Sequence, residues 1–281
     1  LRYHGLSPTM PLLQIVILAV LQGLTEFLPI SSSAHLALAP WLFGWNDQGL
    51  TFDIALHFGT LAAVLAYFFR DWVQLTGQAF GWDWGGNAEL KKSPRMLWML
   101  AAASLPIGVL GYAFKGLAED TLRVNHILIG SMLIGVGILM WVAEKVGRGG
   151  KDVGSVSFLD AMIIGISQAL AIVPGTSRSG ITITAGLFRN LNREAAARFS
   201  FLLSTPAIAA AAFKAFWDVH KHGGRIEVAP FAIGMTVSAV PGCLVIGFLL
   251  GFLRRHSLNF FIYYRIFFGI IVIALAIFVR P

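Results

Sequence analysis

Cysteine and charged residues are both scarce in this sequence, and each shortage excludes a class of protein. Cys243 is the only cysteine among 281 residues, which excludes a disulfide framework or a cysteine-based metal site within the chain. Charged residues make up 12% of the chain, whereas soluble domains usually carry about 25%. A chain with so little charge and 57% hydrophobic residues is predicted to lie in the lipid bilayer.

The net charge of +7 does not indicate nucleic acid as a partner. The basic residues are scattered through short loops and form no aromatic-basic module, so membrane topology and anionic headgroups account for them. The first apolar run contains Glu26 and Pro29, and no small-x-small cleavage site follows. We therefore do not expect it to be a signal peptide.

Six apolar runs are long enough to cross a hydrocarbon core about 30 Å thick. They predict an all-α polytopic membrane protein with one integral membrane domain over residues 1–281. The predicted spans are 52–70, 96–114, 126–144, 199–217, 229–252 and 260–280.

Segments 12–43 and 158–189 differ from these spans because each is interrupted by a proline and a polar cluster. The arm before Pro29 or Pro174 is about 16 residues long, roughly 24 Å as a helix, which is too short to cross. Proline also cannot continue a regular helix. Both segments are predicted to be re-entrant helix–loop–helix hairpins.

The order of one hairpin and three spans occurs twice, which predicts an internal repeat over 1–150 and 151–281. The hairpin sequences QGLTEFLPISSSAH and QALAIVPGTSRSG align with one gap, with Gln22 on Gln168 and Ser32 on Ser177. Three spans are an odd number, so the second repeat is expected to be inverted. The two polar loops would then approach each other from opposite leaflets.

Loop charge predicts the orientation. Twelve lysine and arginine residues fall on the side opposite the N-terminus and seven on the N-terminal side. By the positive-inside rule, the side opposite the N-terminus is expected to be cytoplasmic, and both termini are expected in the periplasm or outside the cell.

Glu26 is the leading candidate for chemistry in the first hairpin. A carboxylate at membrane depth is costly, so it marks a functional site by default. Gln22 lies four residues earlier and shares its helical face. The alternative is that Glu26 only accepts a hydrogen bond from a backbone N–H freed beside Pro29.

Ser31, Ser32 and Ser33 follow the proline. One serine would cap the next helix, and another could be a nucleophile if a base removes its proton. His35 is close enough in sequence to be that base, although it could equally be a structural hydrogen-bonding residue.

The second hairpin carries PGTSRSG, residues 174–180. The planar fork of Arg178 suits phosphate or carboxylate. Together with hydroxyl groups and a helix N-terminus, it predicts an oxyanion site. The alternative is a structural ion pair between Arg178 and Glu26, which is compatible with such a site. His57 is a weaker candidate, for which a helix-end role is favoured, and Tyr264 and Arg265 are expected either at the site or at lipid headgroups.

The motifs LQGLTEFLPISSSAH and PGTSRSG resemble the two signatures of the bacterial undecaprenyl pyrophosphate phosphatase family, of the bacitracin-resistance type. The resemblance covers essentially the whole chain. It implies hydrolysis of undecaprenyl pyrophosphate to undecaprenyl phosphate and inorganic phosphate, which recycles the lipid carrier of cell-wall synthesis. It also implies a location in the bacterial inner membrane, a site facing the periplasm, and support from a divalent cation, Mg²⁺ or Ca²⁺.

Residue by residue, the resemblance places Glu26, Ser32, His35 and Arg178 in the site, with Glu26 as the one candidate metal ligand. Gln22 stands where many members carry glutamate, which weakens a two-carboxylate metal site. Further phosphate contacts are expected from Gln22, Ser31, Ser33, Gly175, Thr176, Ser177 and Ser179.

The residues themselves leave three questions open. The chain could transport or flip a phosphorylated lipid or small anion instead, or bind lipid without catalysis, because fold does not settle function. Attack by Ser32 and attack by water are both compatible with the motif. The oligomeric state, including a homodimer, is also open.

Overall fold

The structure is a computed structural model that describes residues 11–46, 49–117, 121–221 and 228–279. These residues form helices and two short 3₁₀ segments, Val153–Ser155 and Ala169–Ile172, and no β-sheet forms among them. The helices are α1 Leu12–Thr25, α2 Ser32–Phe43, α3 Gly49–Tyr67, α4 Phe69–Ala79, α5 Ala88–Lys91, α6 Met96–Ala113, α7 Lys115–Leu117, α8 His126–Val146, α9 Phe158–Gln168, α10 Arg178–Phe188, α11 Arg193–Lys221, α12 Val228–Leu253 and α13 Asn259–Phe278.

Five of these helices, namely α6, α8, α11, α12 and α13, are long and apolar enough to cross a membrane. The prediction of an all-α polytopic membrane protein is confirmed. The span predicted for 52–70 needs correction, because α3 ends at Tyr67 and the chain then bends by 73° into α4. The pair α3 and α4 makes a sixth crossing only if it counts as one bent span.

Both predicted hairpins are present as two short α-helices joined by a tip, and in the second hairpin the 3₁₀ segment Ala169–Ile172 precedes the tip. The first runs from Leu12 to Phe43 and the second from Phe158 to Phe188, close to the predicted 12–43 and 158–189. Helix α1 has 14 residues, about 21 Å at 1.5 Å per residue, which is shorter than the hydrocarbon core. These lengths fit a path that enters and leaves on one side.

The hairpins pack against spans from the opposite half of the chain. Helix α1 lies on α12, and α9 lies on α6. Both contacts are close: a Cβ added to Gly23 would lie 2.5 Å from the carbonyl oxygen of Ser238, and one added to Gly165 would lie 2.2 Å from that of Ala103. Small residues at such crossings let helix backbones approach each other in membranes.

The first tip is anchored in the main apolar core. Phe27 is buried there and meets Phe201 of α11 edge to face, with 5.4 Å between ring centroids. Aromatic pairs favour that arrangement. Helices α8 and α13 pack along each other beside the tips and complete the wall around the polar loops.

One end of the bundle carries a layer of ion pairs. Each includes a basic residue that was predicted to lie on the side opposite the N-terminus, and they join helix ends and loops: Arg193 with Glu144, Arg198 with Asp71, Arg254 with Glu194 and Lys92 with Asp152. The hydrogen bond from Lys92 holds the pKa of Asp152 below its usual range. The predicted positions of the two termini fall on residues 1–10 and 280–281, which lie outside the described residues.

Candidate active site

The two hairpin tips share one local geometry, centred on Ser31 and Ser177. Each serine has a positive φ, 77° and 68°, which is uncommon for a residue other than glycine. Each caps the following helix by accepting a hydrogen bond from the backbone N–H three residues later, of Ala34 and of Gly180. The capping role predicted for one serine of the first tip thus belongs to Ser31, and Ser177, predicted as a phosphate contact, caps the helix of the second tip.

The matching geometry corrects the predicted alignment of the hairpins. In each tip the capping hydroxyl lies 3.2 Å from the hydroxyl two residues later, Ser33 or Ser179. Helix α9 begins 146 residues after the start of α1, and α10 begins 146 residues after the start of α2. An alignment without a gap therefore matches Gln22 with Gln168 and Ser31 with Ser177, and it sets Ser32 opposite Arg178.

The Glu26 carboxylate is where the two hairpins meet. Its side chain is buried and accepts hydrogen bonds from Gln22 Nε2 at 2.9 Å and from Ser32 Oγ at 2.5 Å, both at Oε2. Arg178 of the other hairpin donates from Nη2 to Oε1. The structure therefore brings three of the four predicted catalytic residues, Glu26, Ser32 and Arg178, into direct contact.

His57 of α3 joins this group. Its Nε2 lies 3.6 Å from Oε2 of Glu26, and its Nδ1 lies 2.6 Å from the carbonyl oxygen of Asp53. The side chain is 31% exposed, so the ring reaches both the carboxylate and open space. The favoured helix-end role was wrong, since His57 lies within α3 and beside the carboxylate.

His35, the fourth predicted residue, has other partners than expected. Its Nδ1 lies 2.7 Å from the carbonyl oxygen of Ser31, and its Nε2 lies 2.7 Å from the hydroxyl of Tyr264. Phe268 stacks on the ring, with 4.9 Å between centroids. Because both nitrogens are engaged in this way, neither points at Ser32 or Glu26 in this arrangement.

Arg265 is the structural centre of the two tips. It is fully buried, and its guanidinium donates to five backbone carbonyl oxygens. One belongs to Pro29 in the first tip, at 3.0 Å, and two belong to Gly175 and Thr176 in the second, at 2.9 Å each. Arg265 therefore lies at the site and not at lipid headgroups, the two positions between which an arginine in an apolar span does not decide.

The remaining predicted phosphate-binding residues have mainly structural contacts here. Ser179 Oγ donates to the carbonyl oxygen of Leu28 at 3.0 Å and so ties the two tips together. Gly175 packs against the backbone of α8 at Ile129. The Thr176 hydroxyl is buried, and it has no hydrogen-bond partner among the described residues.

The tips also bring two helix N-termini to the carboxylate. Helix α2 begins at Ser32 and α10 begins at Arg178, both of which bind Glu26. First-turn N–H groups have no partner within their own helix and form the positive end of its dipole. Together with the Arg178 guanidinium, they can bind an anion such as phosphate.

The side chains alone form an incomplete site for a divalent cation. Glu26 and His57 supply two donors, and the described residues contain no group of three or more histidine, cysteine, aspartate or glutamate side chains placed to hold a metal. Mg²⁺ is commonly held by one or two carboxylates, with substrate phosphates and water completing its shell. The donor set fits a cation only in that form.

Comparisons with known proteins identify one family. Residues 15–271 match the model of the family described as bacitracin resistance protein BacA. An undecaprenyl-diphosphatase of Thermodesulfovibrio yellowstonii is 44% identical over 269 residues, covering 95% of this chain and 98% of the relative. Similar proteins of the same name occur in Desulforudis audaxviator, at 46% identity over 93% of this chain and 97% of the relative, and in Chlorobaculum parvum, at 45% over 94% and 96%.

Proposed function

The chain belongs to the bacitracin resistance protein BacA family, and on that basis we propose that it hydrolyses undecaprenyl pyrophosphate to undecaprenyl phosphate and inorganic phosphate. Relatives that cover more than nine-tenths of the chain carry the name undecaprenyl-diphosphatase. The reaction returns the carrier lipid to cell-wall synthesis and gives resistance to bacitracin.

The observation that carries this proposal is the contact of Glu26 with both Arg178 and Ser32. The N-termini of α2 and α10 bring together the guanidinium of Arg178, which can bind phosphate, the hydroxyl of Ser32 and the carboxylate of Glu26. Phosphoryl transfer needs mainly positioning and stabilisation of negative charge on the transferred group. The arrangement supplies both, while the isoprenoid tail can stay in lipid.

Binding begins at Arg178 in the mechanism that we propose. Its side chain is 15% exposed, and its fork can donate hydrogen bonds to two oxygens of a phosphate. The first-turn N–H groups of α2 and α10 that are not bound by the capping serines add donors that carry partial positive charge. These groups also face the charge that spreads over the phosphoryl oxygens during transfer.

Ser32 is placed to be the nucleophile. Its Oγ donates to Glu26 at 2.5 Å, so this carboxylate, and not His35, is the group positioned to take the serine proton. On the covalent route, Oγ bonds to the terminal phosphorus while the bond to the bridging oxygen breaks, and undecaprenyl phosphate leaves. Water then hydrolyses the phosphoserine. On the direct route, Ser32 and Glu26 position and deprotonate that water instead.

A divalent cation, Mg²⁺ or Ca²⁺, is part of the proposal. Glu26 would hold it together with oxygens of the substrate. When bound, such a cation neutralises negative charge on the phosphates. Arg178 and the helix N-termini supply positive charge at the same place without it.

We also propose the location and orientation. The protein lies in the bacterial inner membrane with the site facing the periplasm, and its halves 1–150 and 151–281 are inverted repeats. The gap-free match of the hairpins supports the repeat. So does the exchange of partners, because α1 packs on α12 while α9 packs on α6.

Two single cysteines test this orientation, after Cys243→Ser removes the native thiol. Asn46→Cys follows the first hairpin, and Arg148→Cys precedes the second. A membrane-impermeant thiol reagent added to whole cells should label the first and spare the second. Labelling of both from one side contradicts the inverted repeat. A homodimer stays a prediction, which light scattering of the purified protein in detergent would test.

Release of phosphate from undecaprenyl pyrophosphate by the purified protein in detergent tests the function. We expect turnover without any membrane gradient and its loss in Glu26→Gln. If the protein releases no phosphate but moves the lipid across a vesicle membrane, the transporter alternative replaces this proposal.

A further inference from the structure

His35 is held at both ring nitrogens, and the chemistry of its partners fixes where its protons lie. A carbonyl oxygen can only accept a hydrogen bond. Nδ1, 2.7 Å from the carbonyl oxygen of Ser31, therefore carries hydrogen. Protons can enter or leave the ring only at Nε2, which lies 2.7 Å from the hydroxyl of Tyr264.

The Tyr264 hydroxyl suits both protonation states of His35. A phenol can donate a hydrogen bond and can also accept one. It donates to Nε2 when the imidazole is neutral, and it accepts from Nε2–H when the ring is charged. The hydroxyl therefore keeps its partner when the proton on Nε2 comes or goes.

Among the described residues, Nε2 of His35 has no hydrogen-bond partner besides Tyr264. Ile129 and Leu133 of α8 pack against α2 with apolar side chains. The charged group that acts electrostatically on the ring is Arg265 of α13, and its guanidinium is committed to backbone carbonyls. Tyr264 and Arg265 are thus the titratable groups that face the ring.

We propose that Tyr264 is a positioning residue for His35, which keeps the ring in one orientation through both of its protonation states. This proposal rests on the proposed function and adds one assumption to it: His35 exchanges a proton at Nε2 during turnover, separately from the Ser32 proton that Glu26 takes. Packing alone would need only the ring of Tyr264, which stacks on His35 at 5.8 Å between centroids. The hydroxyl is the part that carries the proposal.

Tyr264→Phe removes the hydroxyl and keeps the ring. Tyr263→Phe is the matched control, because Tyr263 is the adjacent residue and is 62% exposed. We expect Tyr264→Phe to lower kcat roughly tenfold, the size of one lost hydrogen bond to a group that carries charge, with little change in KM. One limb of the pH profile of kcat should disappear in His35→Gln, and the same limb should shift along the pH axis in Tyr264→Phe. The Tyr263→Phe profile should match that of the wild type.

A double variant separates positioning from an independent effect. If Tyr264 acts through His35, adding Tyr264→Phe to His35→Gln should cause no further loss, because residues that act as one unit are not additive. Additive losses, or a pH profile that does not move, overturn the proposal.

A spectroscopic measurement tests the positioning role independently of whether the protein is a phosphatase. In protein labelled with ¹⁵N-histidine, the His35 signals are assigned by their absence in His35→Gln. We expect a protonated Nδ1 in the wild type. The Nε2 signal should be displaced in Tyr264→Phe and unchanged in Tyr263→Phe. An unprotonated Nδ1, or an Nε2 signal unchanged by Tyr264→Phe, overturns the positioning role. Wild-type protein that releases no phosphate but shows the expected signals overturns the proposed function instead.

Discussion

Arg265, in the last span, donates from Nη1 to the carbonyl oxygen of Pro29 in the first tip, 3.0 Å away. The same guanidinium donates to Gly175 and Thr176 of the second tip. One side chain therefore sets the spacing between two loops that lie far apart in sequence. Contact between Glu26 and Arg178 depends on that spacing.

Arg265→Lys should impair both stability and activity. An ammonium group is a compact donor and cannot reach five carbonyl oxygens on two tips, so several buried acceptors lose their partners, each at a cost of about 1–3 kcal/mol. We expect a lower Tm in detergent and a loss of phosphate release of at least roughly tenfold. Arg255→Lys, on an exposed residue beyond α12, is the control. Wild-type Tm and turnover in Arg265→Lys would show that the tips hold their positions without it.

Arg178→Lys should impair activity and leave stability largely intact. Lysine can still pair with Glu26, but it lacks the planar fork that binds two phosphate oxygens. We expect turnover in detergent to remain badly impaired, roughly 10²-fold or more, as for the loss of one donor that stabilises a developing charge. The Tm should stay near that of Arg70→Lys, an exposed control. Near-wild-type turnover would exclude bidentate recognition by Arg178.

Ser32→Ala should cost more activity than Ser33→Ala. The Ser32 hydroxyl binds the carboxylate of Glu26, whereas the Ser33 hydroxyl binds that of Ser31. Parallel assays of phosphate release by the two variants test the order, and the reverse order would assign the nucleophile to Ser33. Rapid quenching with labelled substrate separates the two routes: phosphate left on Ser32 identifies the covalent route, and its repeated absence identifies attack by water.

Chelation should lower phosphate release, and added Mg²⁺ or Ca²⁺ should restore it. Glu26 supplies one carboxylate, so the cation is expected to bind mainly with the pyrophosphate present. Isothermal titration of Mg²⁺ with and without a non-hydrolysable pyrophosphate analogue checks this. Strong binding to the protein alone, or full turnover in EDTA, would contradict it.

The hairpins were predictable because their signals are local. A short apolar arm, a proline and a cluster of serines define Leu12–Phe43 and Phe158–Phe188 without knowledge of the rest of the chain. The ion pair between Glu26 and Arg178 was the alternative given for Arg178, because a carboxylate and a guanidinium inside a membrane tend to pair.

Other features needed tertiary structure. The prolines suggested an alignment of the tips that is wrong by one position, because Ser31 and Ser177 set the helix starts and Pro29 and Pro174 do not. The position of His57 depends on how α3 packs. Arg265 could not be assigned from sequence, since an arginine in a span can either extend to the headgroups or be buried.

The ion pair between Glu26 and Arg178 has a consequence for affinity. A phosphate that binds Arg178 must compete with a carboxylate that belongs to the protein and is always present at high local concentration. The free energy of phosphate binding is therefore the difference between two attractions to one guanidinium. When inorganic phosphate departs, Glu26 can take its place on Arg178. A competing carboxylate within the protein lowers the affinity for product and for substrate alike, which favours release of product over its retention.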